Sequence, residues 1–285
     1  MDRLVASIAI AIPFLLLWLL FLSRIDSGRG EPHKKHVILK MIIAGGVAVL
    51  PAWASYFVNP FWVSAAFGSF AFNLFVVGLA EELIKFLTFI LMARWLGSIR
   101  EPQDGVLQGA AVGVGFSLVE DVLYGFWYWP TVTLMRSLIV GFHAFSGALW
   151  GFAWAGAVYE NANDHRPRAY RHAILAFVPV AILHSLYNTF ADVIRSPGVM
   201  FLALFLFEIA LLVVSVRAFR WMKARSPYHR FPYSEAATAI VIIRKGIHRN
   251  PQSLILRRRL AIYLIAAGRY AKAIRAIRWL MNRGK

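Results

Sequence analysis

Leu4 to Leu22 is a run of 19 residues without a single charge. At about 1.5 Å per residue a helix of that length reaches across a hydrocarbon core of about 30 Å. It is too long for the apolar part of a signal peptide, and no small-residue cleavage site follows, so it reads as a first membrane helix. Further runs follow at 37–57, 61–95, 105–129, 134–159, 173–194 and 199–217. Together they predict an all-α polytopic membrane protein with about seven transmembrane helices, over residues 1–222. Composition agrees, with a mean hydropathy of +0.60. Only 16% of residues are charged, against about 25% in soluble domains. The absence of cysteine excludes a disulfide framework, a thiolate catalyst and a Cys-ligated zinc.

Charge placement predicts orientation. The loops 23–40, 94–104 and 160–172 and the tail from residue 217 carry 5, 2, 3 and 17 Lys+Arg, whereas the opposite ends carry only Arg3, Arg136 and Arg195. By the positive-inside rule the N-terminus lies outside and the C-terminal tail in the cytoplasm of a cell (inner) membrane. The run 61–95 would form a helix of roughly 50 Å, longer than the hydrocarbon core. It must tilt, protrude or break, and Gly78 is the expected break. Gly45-Gly46 allows close helix packing.

After Ser226-Pro227 the pattern becomes amphipathic. Three short helices are expected over 236–247, 254–267 and 269–281, separated by Asn250-Pro251 and Gly268. This small helical cytoplasmic unit, 227–285, resembles a tetratricopeptide-type hairpin but covers only about one and a half repeats. Two partners stay open for it, a protein or anionic lipid. No nucleic-acid-binding motif is present, only charge.

Inside the apolar runs each ionisable group is costly and reads as functional. Glu81 and Glu82 lie four and three residues before Lys85, so one lysine reaches either carboxylate and one negative charge is left over. Glu120 follows Phe116 by one turn, His143 precedes Gly147 by one turn, and His184 precedes Asn188 by one turn. Counted from the run ends, Glu82, Glu120, His143 and His184 each lie roughly 13–18 Å from a membrane face. Four runs thus place an acid or an imidazole near one mid-plane. Such a set contains a base to activate water, an acid for a leaving group and donors for an oxyanion. No Gly-x-Ser-x-Gly or His-Glu-x-x-His is present.

These four motifs, in this order, resemble the PrsW family of intramembrane proteases, which belongs with the CAAX prenyl proteases and bacteriocin-processing enzymes. The Arg136-to-His143 spacing is similar as well. The resemblance covers roughly residues 61–194. It implies hydrolysis of a membrane-anchored protein substrate, such as an anti-sigma factor. It further implies Glu81 as base, Glu82 and Lys85 ordering it, and His184 and Asn188 as oxyanion donors. The family commonly has Asn where this chain has Asp121. The wider relatives have His where it has Glu120, a place for which His143 offers compensation. The expected mechanism needs no cofactor. The alternative is a zinc metalloprotease with Glu81, Glu120, His143 and His184 as ligands. A non-catalytic alternative uses the buried carboxylates for transport, binding or immunity; no internal inverted repeat supports a transporter.

Overall fold

The computed structural model describes residues 2–27, 35–58, 70–138, 141–164, 167–193, 197–229 and 231–283. Among them every regular element is a helix. α1 is Arg3–Ser27, α2 is Lys35–Val58, and α3 is Leu79–Leu96, entered through a π-helical segment Asn73–Gly78. α4 (Pro102–Trp127) leads to the short α5 (Pro130–Leu138). α6 (Gly141–Asp164), α7 (Pro167–Val193) and α8 (Pro197–Arg225) follow. The tail holds α9 (Ala236–Arg249), α10 (Leu254–Ala266) and α11 (Tyr270–Arg283).

Hydrocarbon offers no partner to a free backbone N–H or C=O, so apolar runs of this length close their bonds within a helix. Four described helices are long and apolar enough to cross a membrane, through Arg3–Asp26, His36–Ala54, Gln103–Trp127 and Leu202–Trp221. α7 contributes a shorter apolar stretch, Phe177–Phe190. α3 is less apolar because Glu81, Glu82, Lys85 and Arg94 fall within its 18 residues, and the first three of these are buried.

One boundary differs from the sequence expectation. The helix does not break at Gly78. It changes winding there, from a wide π turn to an α-helix, with Gly78 itself in right-handed geometry. Residues 61–69 of that run lie outside the described residues. Of the span expected over 134–159, Leu134 to Leu138 are helical in α5 and Gly141 to Tyr159 in α6, and residues 139–140 lie outside the described residues.

α4 is the central helix, and 83% of its apolar window is buried. Its glycines explain how it is surrounded. A Cβ on Gly105, Gly109 or Gly113 would lie 2.1, 2.1 and 1.9 Å from the backbone oxygens of Gly151, Gly147 and His143. A Cβ on Gly45 of α2 would lie 2.0 Å from Val112 O on α4. Small residues at one-turn intervals thus bring α6 and α2 against α4 at backbone contact. An aromatic layer closes the other side of α3. Phe86 packs against Trp150, Trp154 and Phe177 at centroid distances of 5.5, 5.8 and 5.7 Å.

The tail has a core of its own, including Ile240, Ile243, Leu256, Tyr263 and Leu264. Gly268 adopts φ 69°, which lets the chain turn between α10 and α11. The tail also seats on the helical body. Tyr159 Oη at the end of α6 donates to Ile242 O (3.2 Å). The Arg249 guanidinium donates to Val158 O, and the Ser226 hydroxyl donates to the buried Glu101 carboxylate that caps α4.

Candidate active site

α3, α4, α6 and α7 each bring buried polar side chains to one place. On α3 the one-turn spacing turns Glu81, Glu82 and Lys85 inward together, and all three are buried. Lys85 Nζ donates to Glu82 Oε1 (2.6 Å) and lies 3.7 Å from Glu81 Oε2. It also donates to His143 Nδ1 (2.9 Å). The Phe116 ring of α4 lies 4.3 Å from the same ammonium, a cation–π contact with a desolvated charge.

Glu82 gathers several donors. Besides Lys85 it accepts from His184 Nδ1 (2.9 Å) and from Trp150 Nε1 (3.0 Å), with Ser146 Oγ at 3.5 Å. Donors from α3, α6 and α7 converge on this one carboxylate. Burying a charge is tolerated only when it is compensated this way. Glu81 Oε2 lies 3.7 Å from both Lys85 Nζ and His184 Nε2, beyond hydrogen-bond reach of either.

The bonding pattern assigns the imidazole protons. His184 uses Nδ1–H on Glu82, which leaves Nε2 turned toward Glu81. His143 accepts from Lys85 at Nδ1, so its neutral ring carries the proton on Nε2, 3.2 Å from Glu120 Oε2. The two rings meet edge-to-face at 5.1 Å, with Phe142 packed against both.

A second ion cluster adjoins the first. Arg136 of α5 donates through Nη2 to Glu120 Oε2 and through Nε to Asp121 Oδ1, both at 2.8 Å. Glu120, which faces His143, is therefore tied to α5. Asp121 is an ion-pair partner of Arg136.

Of the residues expected from sequence, Glu81, Glu82, Lys85, Glu120, His143 and His184 come together. Asn188 is half-buried one turn beyond His184. It is not among the partners of these groups within the described residues. Sequence reasoning missed Trp150, Ser146 and Glu208. Ser146 and Trp150 lie three and seven residues after His143, on the same helical face, which is the signal that would have found them. Glu208 on α8 is buried, and its Oε2 lies 2.9 Å from where a Cβ on Gly141 would stand, at the start of the helix that carries His143. It was visible as the lone acid in the apolar window Leu202–Trp221.

The donor set can be compared with a metal site. One ligand atom each from Glu81, His143 and His184 lie within 4.8 Å of one another. Two imidazoles and a carboxylate are a recurrent catalytic zinc set, whose donors stand roughly 3.3–3.5 Å apart in a tetrahedron. His184 Nε2 and Glu81 Oε2 are near that spacing, and Glu82 orients His184 through its other nitrogen as an outer carboxylate would. The residues present therefore fit such an ion by type. Four carboxylates (Glu81, Glu82, Glu120, Asp121) stand beside two basic side chains, Lys85 and Arg136, an imbalance that a proton or a divalent cation would offset.

A buried set of acids and imidazoles between apolar helices is the kind of site a hydrolase embedded in the bilayer uses, and comparison with known proteins points to that class. A family model described as PrsW family intramembrane metalloprotease matches residues 33–217. Protease PrsW of Shouchella clausii is 28% identical over 157 residues, covering 54% of this chain and 70% of that protein. Protease PrsW of Bacillus subtilis is 27% identical over 155 residues, covering 54% and 68%. No solved structure matches. The chain belongs to the PrsW family of intramembrane proteases and is a peptidase of the membrane.

Proposed function

We propose that the protein hydrolyses a peptide bond of a membrane-anchored protein, with Glu81 as the base that takes a proton from water. One observation carries this assignment: Glu82 is committed to donors on three helices, while Glu81 Oε2 faces both Lys85 Nζ and His184 Nε2 at 3.7 Å. A carboxylate committed in this way positions its neighbours, whereas an oxygen facing a cation and an imidazole at that distance can take a proton from a water placed beside it. His184 Nε2 points at the same spot, so a water beside Glu81 Oε2 meets a second polar group there. Lys85 sets a fixed positive charge where negative charge develops. The His143–Glu120 pair is placed to hold and pass the proton needed by the leaving amine, and Arg136 keeps Glu120 in place. Asn188 offers an amide donor one turn from His184. Because His184 Nδ1–H is engaged with Glu82, an oxyanion contact from this residue uses Nε2, which must then carry a proton of its own.

Seven spans, residues 1–222 as the membrane unit with the proteolytic core at 61–194, and a cytoplasmic tail at 227–285 complete this reading. The second reading is zinc-assisted hydrolysis, favoured by the convergence of Glu81, His143 and His184. Such an ion would supply a water acidified to near-neutral pKa and a Lewis acid for the carbonyl. Glu82 would then keep His184 in the ligating tautomer.

Glu81→Gln and Glu82→Gln separate the roles. Glu81→Gln retains shape but removes the base, so cleavage of a membrane-anchored substrate falls by roughly 10²–10⁴-fold at normal abundance. Glu82→Gln weakens a buried ion cluster and lowers abundance as well, because breaking a buried pair costs about 3–5 kcal/mol. Full cleavage by Glu81→Gln at normal abundance sinks the base assignment. Metal content of the purified wild type, with cleavage before and after chelation, decides between the two readings.

A further inference from the structure

α11 carries an apolar stripe that the fold does not cover. Tyr270, Ile274, Ile277 and Met281 are exposed by 63%, 50%, 38% and 67%. Their spacing of four, three and four residues puts them within about 60° of arc on one helix face. The core-facing side of the same helix is a different one, marked by the buried Ala273. Lys272, Arg275 and Arg278 are exposed on the same short helix, with Arg269 exposed just before it. Apolar stripe and basic flank on a single helix are the two components of a surface that lies in a lipid interface.

Two attachments keep this helix near the membrane. The apolar window Leu202–Trp221 leads directly into the tail, and Trp221, a residue type typical of the interface, is held against Phe152 of α6 at 5.7 Å. Independently, the tail is fastened to the ends of α6 and α4 through Tyr159, Val158 and Glu101. The charge then selects the occupant. From Arg217 to Lys285 there are 17 Lys+Arg and one acid, Glu235. A second copy of so basic a tail would be repelled. A nucleic acid would use the charge and leave the apolar stripe unexplained. Lipid with anionic headgroups satisfies both.

We propose that α11 lies in an anionic membrane surface, its Tyr270–Ile274–Ile277–Met281 stripe among the headgroups and its arginines and lysine paired with lipid phosphates. The tail then anchors the cytoplasmic end of the enzyme to the leaflet beside it. The inference does not depend on the catalytic assignment.

The chain contains no cysteine, so Ile274→Cys and Met281→Cys each give a unique labelling site on the full-length protein. Asn282→Cys, exposed and off the stripe, is the control. Each variant carries an environment-sensitive fluorophore in nanodiscs that contain spin-labelled lipid. The discs are either zwitterionic or enriched in phosphatidylglycerol. At positions 274 and 281 the expected result is a blue shift and quenching several-fold stronger than at 282. Both should occur in the anionic discs and diminish in zwitterionic discs or high salt, where screening shortens to about 3 Å at 1 M. Solvent-exposed labels at both stripe positions in anionic discs overturn the proposal. So does shielding without lipid quenching, which would mark a protein surface on the stripe. Equal quenching in both lipids overturns the anionic choice. The two stripe positions are independent, so misfolding of one variant leaves the other to decide.

Discussion

Glu82 shows how much structure one intramembrane charge requires. Three side chains from three helices donate to it within 3.0 Å. Trp150 is the most telling of these, because its ring packs with Phe86 and Phe89 while its N–H serves the carboxylate. Trp150→Phe keeps the ring contacts and deletes the donor. Loss of one partner to a buried acceptor costs about 1–3 kcal/mol. Part of that should appear as a lower melting temperature, and part as a loss of cleavage of about tenfold at saturating substrate, as Lys85 and His184 shift to compensate. Unchanged cleavage in Trp150→Phe would show that the orientation of Glu82 does not matter to the reaction. The acids and imidazoles were legible in the sequence because each stands out against an apolar run, and counting residues gave their common depth. Trp150 and Ser146 were not, since both are ordinary in a membrane helix and only the facing helix gives them a task.

At the scale of elements, the α4–α6 contact determines whether the site exists. Glu120 and His143 are 3.2 Å apart across it, and the helices touch at Gly105, Gly109 and Gly113. Gly109→Ala places a methyl 2.1 Å from Gly147 O, so the helices must separate. Over-packing of this kind costs about 1–3 kcal/mol, and the separation pulls Glu120 from His143. Both thermal stability in detergent and cleavage should fall. Gly97→Ala is the control: Gly97 sits at φ 55° with nothing near its missing Cβ. That substitution strains the backbone by about 1–2 kcal/mol but should leave cleavage intact once the protein is folded. The sequence has glycines one turn apart at 105, 109 and 113, but their pairing with Gly147 and Gly151 is not legible in it, because helical spacing identifies a face without identifying the face it meets.

For the whole molecule, the placement of the basic residues predicts an orientation. A reporter fused after Lys285 should be active only in the cytoplasm, since 17 Lys+Arg follow the last apolar run. A signal from the outer side would overturn the seven-span reading. The sequence expectation of three tail helices matches α9, α10 and α11 closely, because Asn250-Pro251 and Gly268 punctuate them sharply. The attachment of the tail to Glu101 and Val158 was not foreseeable, as it depends on backbone oxygens and a serine that carry no sequence signature.

The wide turn at Asn73–Gly78 acts as a phase correction. In a uniform α-helix, residues eight apart differ by about 80° in direction, so Asn73 and Glu81 would point to different neighbours. A π turn closes five residues apart and takes up roughly one extra residue. The interval then behaves as seven, and the two directions agree to within about 20°. Both residues accordingly reach α7: Asn73 Nδ2 donates to Thr189 Oγ1 at 3.3 Å, and Glu81 faces His184. Ser185, between those two α7 positions, has its Oγ where a Cβ on Gly78 would stand, 2.4 Å away. The segment therefore works like a gear with one tooth added. It keeps two stretches of helix in step with a single partner, and an inserted or deleted residue there would put Asn73 and Glu81 out of step, so that α7 could meet only one of them.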